Sequence, residues 1–283
     1  MKAVILDGIV LGLSFGLLGV GLTLVYGLAG VLNLAYGEIA VIGALAASRV
    51  NEAGVSIALA AIAGVLAATG AAVLLDLTLM RPVYRERGEN RTLLGLLLTL
   101  GAAFAIEGLL NWRDPLGALY INMGYTPISI LGVPMPSGSI WASVIALGTG
   151  AVLVLFFGVT TFGRAVRSVI QDEIGARLVS VSPVFVRTVI FALSGTLAGL
   201  VAVTNAMTTP VTVTQGFDLT IYALIVTVVG GLGSVTGAFL AGLLLGIVDT
   251  ISAYYIGQYI TSIVLLGAAG ITILFRPRGL LGR

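Results

Sequence analysis

The chain has 283 residues, of which 58% are hydrophobic and only 9% are charged, and its formal net charge is +2. Soluble domains carry about 25% charged residues, so lipid must be the solvent for much of this surface. The chain contains no cysteine and no histidine, which excludes disulfides, thiolate chemistry and the usual zinc and haem ligands. We therefore expect an all-α polytopic membrane protein without metal or cofactor, and not an enzyme.

Long apolar runs predict a bundle of about eight transmembrane helices forming a single domain over residues 1–283, because one span needs roughly 20 apolar residues. The runs are too long and too uniformly apolar for barrel strands. A segment near the C-terminus, Leu219–Gly231 with a return arm Gly237–Thr250, is either one broken element or two short spans. The other expected spans are Ile5–Leu28, Leu34–Val50, Val55–Met80, Leu93–Trp112, Ile140–Thr160, Thr188–Met207 and Ile256–Phe275.

Eleven of the 14 basic residues lie in three clusters, which are Arg81, Arg85, Arg87 and Arg91; Arg164, Arg167, Arg177 and Arg187; and Arg276, Arg278 and Arg283. The positive-inside rule places these clusters, and the C-terminus, in the cytoplasm. The N-terminus and the loops Arg113–Ser139 and Thr208–Asp218 are then external, although Lys2 fits poorly there. Clustering at membrane edges indicates topology and not nucleic-acid binding.

The external loop Arg113–Ser139 contains four prolines, which are Pro115, Pro127, Pro134 and Pro136. Proline removes a backbone donor and ends helices, so this loop has a defined shape. It is either a plain connector or a docking rim for a soluble partner.

Glycines interrupt two apolar stretches, one in each half of the chain. Gly27-Leu-Ala-Gly30 is followed by Asn33, and Gly230-Gly231-Leu-Gly233-Ser234 lies near the end. Paired glycine-broken segments are the best sequence indication of a transport site in repeat-built transporters. The alternative is that these glycines only make tight turns between spans.

Two polar residues follow the first break. Asn33 is a suitable helix N-cap, because its side-chain oxygen can accept a backbone N–H. Glu38 comes within the next turns, and an ionisable group inside a hydrophobic span is a functional hypothesis by default. Glu38 either lies on a substrate path or forms a structural hydrogen bond to the exposed backbone of the break.

The stretch Thr161–Pro183 differs from the rest, because Ala165, Val169, Ile170 and Ile174 are spaced for a short amphipathic helix. Such a helix lies either on lipid or in a groove on a cytoplasmic partner. No Gly-x-x-x-x-Gly-Lys-Ser/Thr loop is present. If a nucleotide powers this protein, another chain must bind it.

Three motifs make the chain resemble the membrane subunits of branched-chain amino-acid ABC importers, and most of all the shorter of their two permeases. The motifs are Gly21–Gly27 with Asn33-Leu-Ala-Tyr-Gly-Glu38, Gly163-Arg-Ala-Val-Arg167 through Pro183, and Val226–Ala238 with Leu274–Leu281. Tyr36 stands where family members usually carry His, and Ser180 stands where Gly is common in the coupling loop.

The resemblance implies an importer for branched-chain or related amino acids in the cytoplasmic (inner) membrane of a prokaryote. It implies two cytoplasmic ATPases, an external substrate-binding protein and a second permease subunit, a related but different chain. The implied substrate pathway contains Asn33, Tyr36, Gly37, Glu38, Gly230, Gly231 and Gly233. The implied ATPase-coupling loop covers about residues 161–187 and includes Gly163, Arg164, Arg167, Gln171, Asp172, Glu173, Gly175 and Arg177.

Two other functions compete with this interpretation. The first is an ion-coupled secondary transporter of a small solute, with Glu38 or Glu107 binding the coupling ion. The second is a membrane scaffold without transport. The long amphipathic cytoplasmic stretch favours the importer, because a connector between two spans would not need that length.

Overall fold

The computed structural model describes residues 1–86, 88–113, 117–121, 128–130, 132–276 and 279–281. The described chain is almost entirely helical. Its helices are α1 (Lys2–Ala29), α2 (Tyr36–Glu52), α3 (Ile57–Leu75), α4 (Arg81–Val83), α5 (Gly88–Arg113), α6 (Ser137–Val159), α7 (Thr161–Gln171), α8 (Glu173–Leu178), α9 (Pro183–Thr208), α10 (Gly216–Gly230), α11 (Val235–Ile256) and α12 (Gln258–Phe275). A π-helical turn, Asp76–Met80, joins α3 to α4, and a 3-10 turn, Val213–Gln215, precedes α10.

In the part of the chain that the structure describes, four short strands form two antiparallel pairs. The strands are β1 (Ala118–Leu119), β2 (Ile128–Ile130), β3 (Val133–Met135) and β4 (Val211–Thr212). Ala118 lies opposite Thr212 in the first pair, and Ser129 lies opposite Pro134 in the second.

The prediction of an all-α polytopic membrane protein is confirmed. Seven helical segments in the described chain are long and apolar enough to cross a membrane, while α2, with 17 residues, and the apolar part of α12 are shorter. The segment predicted as one broken element or two short spans is two complete helices, α10 and α11. Both arms of that segment are among the seven candidate spans of the described residues.

The three predicted basic clusters lie at one end of the bundle, which we call the arginine-rich end. The Arg187 guanidinium lies 4.5 Å from the centre of the Tyr84 ring, so the turn before α5 is next to the start of α9. Ile170 of α7 and Leu281 of the C-terminal segment line one cavity with Gly233. Arg87, Arg278 and Arg283 lie outside the described residues.

The predicted external loops meet at the opposite end. β1 pairs with β4, which joins the loop after α5 to the loop after α9. The Ser48 hydroxyl at the end of α2 donates to the carbonyl of Tyr120 at 3.2 Å. The Tyr255 hydroxyl contacts Met1, which places the N-terminus at this end. Pro115 and Pro127 lie outside the described residues.

Helices α1 and α11 pack with their backbones in direct contact, because both carry glycines along the shared face. A methyl group on Gly242 would overlap the backbone of Gly16, and one on Gly246 would overlap the backbone of Gly12. Small residues let transmembrane helices approach closely enough for backbone contact. Most of α1 is consequently buried, whereas α3, α5 and α6 present many exposed apolar side chains to lipid.

This contact predicts opposite effects of the same substitution at two glycines. We expect Gly246→Ala to lower the thermal unfolding midpoint of the purified permease by several degrees, because overpacking costs about 1–3 kcal/mol. Gly267→Ala in α12 has open space around it and should leave the midpoint unchanged or raise it, since alanine favours helix. An equal midpoint for both variants would contradict the close contact between α1 and α11.

Candidate functional site

The first predicted glycine break separates α1 from α2. Helix α1 ends at Ala29, and Gly30 follows with φ 65°, in the left-handed region where glycine carries no steric penalty. The Gly30 N–H donates to the Tyr26 carbonyl at 2.8 Å. Residues 31–35 are not helical, and α2 begins at Tyr36. The chain thus returns into the bundle through a short irregular segment that ends in a turn before it becomes helical again.

The backbone of this break is satisfied by protein side chains, as a buried irregular segment requires. The Leu34 N–H donates to the Thr99 hydroxyl of α5 at 3.2 Å, and the Gly37 N–H donates to the Thr220 hydroxyl of α10 at 2.9 Å. The prediction that Asn33 is the N-cap is wrong, because Ala35 occupies that position. The buried Asn33 side chain instead accepts the Ala35 N–H at 3.1 Å, closing a tight turn two residues before the cap.

Glu38 lies in the first turn of α2 and is only 1% exposed. Its carboxylate rests against Gly216 in the first turn of α10, where a side chain larger than hydrogen would overlap it. Neither carboxylate oxygen meets a hydrogen-bond donor within the described part of the chain. The Tyr36 hydroxyl is buried in the same way against Gly21 of α1. The Tyr36 and Glu38 side chains in the first turn of α2 therefore pack directly against glycines of α1 and α10.

The second predicted break separates α10 from α11 at the arginine-rich end. Gly231 and Gly233 have φ values of 104° and 90°, which side chains rarely allow. Ser234 caps α11 by accepting the Gly237 N–H at 3.1 Å. The C-terminal segment closes the break, since the Leu280 N–H donates to the Val229 carbonyl at 2.9 Å.

The structure does not bring the two groups of predicted pathway residues together. Glu38 contacts the first residue of α10, whereas Gly230 is its last residue. Fourteen residues of helix separate these positions, which corresponds to roughly 21 Å. Gly27, which belongs to the first glycine break at the end of α1, does lie beside Gly233 of the second. The described ranges contain no group of three acidic side chains that could bind a metal ion.

The predicted single coupling helix is wrong, because the segment forms two helices, α7 and α8. The break falls at Asp172, whose backbone is extended and whose carboxylate accepts the Ile174 N–H at 3.0 Å, which starts α8. A side chain at Gly175 would overlap that carboxylate. A glycine at the third position of α8 therefore leaves room for the capping carboxylate.

Helix α7 is fastened to the end of α6. The Thr160 hydroxyl accepts the Gly163 N–H at 3.1 Å, and the absence of a side chain at Gly163 lets α7 approach the Phe157 carbonyl. Arg167 donates to that same carbonyl at 2.6 Å. Arg164 and Gln171 are exposed. These contacts fix α7 relative to the bundle while one side of it remains accessible.

Helix α8 is joined to α9 by an ion pair that is shorter than the Arg49–Glu52 and Arg177–Glu173 pairs. Glu173 accepts from Arg177 at 2.8 Å and from Arg187 at 2.5 Å, and Arg187 is only 3% exposed. Partial burial alone would raise the pKa of Glu173, but the two arginines outweigh it and hold the pKa below its ordinary value.

The contact continues deeper into the bundle through residues that were not predicted as site residues. The Arg187 guanidinium stacks on Tyr84, whose hydroxyl donates to Asp76 at 2.7 Å. The Thr188 hydroxyl donates to the other oxygen of Asp76 at 2.6 Å. Asp76 opens the π-helical turn, a feature frequent at functional sites. We call Glu173, Arg187, Tyr84, Thr188 and Asp76 the coupling network.

Apolar side chains on the outer side of α8 are not covered by the chain itself. Ile174 is 73% exposed, and Leu178 and Val179 are also exposed. Ser180 ends this turn with φ 64°, a left-handed conformation that explains why a glycine suits the position. Exposed apolar residues beside a fixed charge pair are typical of a protein contact surface.

The coupling network predicts a pH-dependent contribution of Glu173 to stability. Because its folded-state pKa is lowered, the contribution is fully present above the ordinary carboxyl pKa of about 4.3 and is lost as pH falls below it. We expect Glu173→Gln to lower the unfolding midpoint at pH 7, with a difference from wild type that shrinks below about pH 4. A difference that stays constant on acidification would contradict this role of the charge pair.

Comparisons with known proteins were made against family models, curated proteins and solved structures. Residues 4–274 match the family model described as the permease component of a branched-chain amino acid transport system. The chain is 29% identical to the high-affinity branched-chain amino acid transport system permease protein BraD of Pseudomonas aeruginosa, over 99% of this chain and 95% of the relative. It is 25% identical to the corresponding permease protein LivH of Escherichia coli K12, over 98% and 94%.

Among solved structures, PsaBC from Streptococcus pneumoniae in complex with Fab matches with a TM-score of 0.53, covering 96% of this chain and 91% of that chain. At 11% identity this likeness concerns the fold alone. The sequence relatives favour a transport permease over the ion-coupled carrier and the scaffold. Because the family model covers nearly the whole length, this chain belongs to the family of permease components of branched-chain amino acid transport systems.

Proposed function

We propose that the chain is the transmembrane subunit of an ATP-driven importer that moves branched-chain or related amino acids across the cytoplasmic membrane of a prokaryote. The observation that carries the proposal is the pair α7–α8, an amphipathic unit with exposed apolar side chains, fixed to the bundle through the buried Arg187. The names of the similar permeases supply the class of substrate.

The proposed assembly contains a second permease subunit, two cytoplasmic ATPases and an external substrate-binding protein. The arginine-rich end, with the C-terminus, faces the cytoplasm by the positive-inside rule. The end that carries β1 and β4 then faces the binding protein. The sequence lacks a phosphate-binding loop, so ATP hydrolysis belongs to the separate ATPase chains.

The coupling network provides the mechanical connection in this proposal. Closure of the ATPase pair displaces α8, and the Glu173–Arg187 contact passes the displacement to α9. Asp76 passes it further to α3, because this carboxylate is bonded to both Tyr84 and Thr188. Helix α9 also packs against α1 and α2. A rigid-body shift of α9 therefore changes the surroundings of the glycine break between α1 and α2, a movement of the kind that alternating access requires.

The ATPase contact is tested at Ile174. We expect Ile174→Asp to lower the affinity of the permease for its ATPase about tenfold or more, since losing an apolar interface anchor costs about 2 kcal/mol. The measurement is co-purification with tagged ATPase followed by titration of its binding. Glu86→Ala, an exposed change at the same end of the bundle, should bind like wild type. Unchanged binding of the Ile174 variant contradicts the assignment of α8.

The role of Glu38, in α2, is tested by comparison with Glu107, an acidic residue in α5. We expect Glu38→Gln to reduce amino-acid uptake by the reconstituted importer more than Glu107→Gln, because Glu38 is buried with both oxygens unbonded while Glu107 is half-buried. The measurement is uptake of labelled leucine into proteoliposomes at fixed ATP. If both variants transport like wild type, Glu38 has no special place on the path.

A further inference from the structure

A cavity of about 500 Å³ lies at the end opposite the arginine-rich end, where α1, α9, α10, α11 and α12 meet. Its volume falls in the range of small-molecule sites. Much of its lining is polar, which is unusual within an apolar bundle. The polar residues that matter below are Asp218, Asp249, Gln215, Gln258 and Ser262. None of them belongs to the predicted pathway or to the coupling network.

Asp249 is the central feature of this cavity. It lies within α11, only 5% exposed, and its Oδ1 atom meets no hydrogen-bond donor within the described residues. Asp218, in the first turn of α10, adds a second carboxyl group, and no Lys or Arg is among the lining residues of the described chain. Burying a carboxylate oxygen that meets no hydrogen-bond donor is expensive. The cavity therefore favours a cationic ligand.

Apolar side chains complete the lining near Asp218, with an aromatic ring in the larger cavity and aliphatic side chains in an adjoining one. Tyr222 lines the cavity and stacks on Phe15 with ring centres 4.8 Å apart. Aromatic rings attract ammonium groups. A second cavity of about 260 Å³ shares Asp218, Tyr222 and Ser262 with the first. Its remaining lining is aliphatic and consists of Ile221, Ile225, Ile263 and Leu266.

We propose that these adjoining cavities receive the substrate on the external side, with Asp249 and Asp218 facing its ammonium group. The aliphatic side chain of the substrate occupies the Ile-lined cavity. The amides of Gln215 and Gln258 are donors suited to its carboxylate. The assignment of an amino acid as the ligand rests on the proposed function, whereas the preference for a cation rests on the cavity alone.

The absence of native cysteine makes this preference measurable. Ser262→Cys places one thiol on the wall shared by both cavities, in a permease assembled with its partners in proteoliposomes. Its labelling rates are compared for an ammonium-bearing and a sulfonate-bearing methanethiosulfonate. We expect the ammonium reagent to react about tenfold faster, because a charge several ångströms away contributes over 1 kcal/mol at an effective dielectric constant near 20.

The preference must depend on the two acids of the cavity. Adding Asp249→Asn should reduce the rate ratio severalfold, and adding the exposed Asp218→Asn should reduce it as well, which provides a second variant if the first fails to assemble. Glu107→Gln, a carboxyl change on another helix, should leave the ratio unchanged. A ratio near one, or a ratio insensitive to both Asp substitutions, overturns the proposal.

Protection experiments separate the substrate from other ligands. Leucine should slow labelling of Cys at position 262, whereas N-acetyl-leucine, which lacks the ammonium group, should not. Equal protection by sodium chloride would identify an inorganic cation site and overturn the proposal. If the importer takes up leucine but leucine does not slow labelling at position 262, this inference is overturned while the proposed function stands. Failure of the unmodified importer to take up leucine contradicts the proposed function instead.

Discussion

The backbone contact between α1 and α11 is the constraint on which the rest of the bundle depends. Lipid offers no hydrophobic gain for joining two apolar helices, so close packing must supply the association. Glycines on both helices allow that packing. Once α1 is central, the Thr227 hydroxyl of α10 can donate to the Gly19 carbonyl at 3.1 Å. The position of α10, and with it both glycine breaks, follows from the position of α1.

The charge pair between Glu173 and Arg187 serves a different purpose. A buried ion pair contributes little net stability, because desolvation offsets the attraction, yet removing one partner leaves an unpaired buried charge. Pulling the two charges apart therefore costs more free energy than the intact pair contributes to the stability of the fold. In the proposed importer, that property would make α9 follow a displacement of α8.

Sequence patterns predicted most of the helices, because about 20 apolar residues in succession have few alternatives in a membrane. They could not predict contacts that depend on tertiary packing. Asp76 and Thr188 are 112 residues apart and meet only because α3 packs against α9. Asp172 was included in the coupling loop, but its capping role depends on the backbone turn that splits the helix. The distance between Glu38 and Gly230 appears only once it is known that Glu38 contacts the first residue of α10 and that Gly230 is its last.

The distribution of carboxyl groups links the two ends of the protein. Asp76 and Glu173, at the arginine-rich end, have their oxygens bonded by Tyr84, Thr188, Arg177 and Arg187, so these two carboxylates find their donors within the chain itself. Glu38 and Asp249 are buried elsewhere in the bundle with oxygens that meet no donor within the described chain. Burying such an oxygen is costly unless a donor arrives. In the proposed importer, the bonded carboxylates would hold together the elements that transmit motion, and the unbonded ones would face a cationic solute, so the two kinds of carboxylate would do different work at different ends of the bundle.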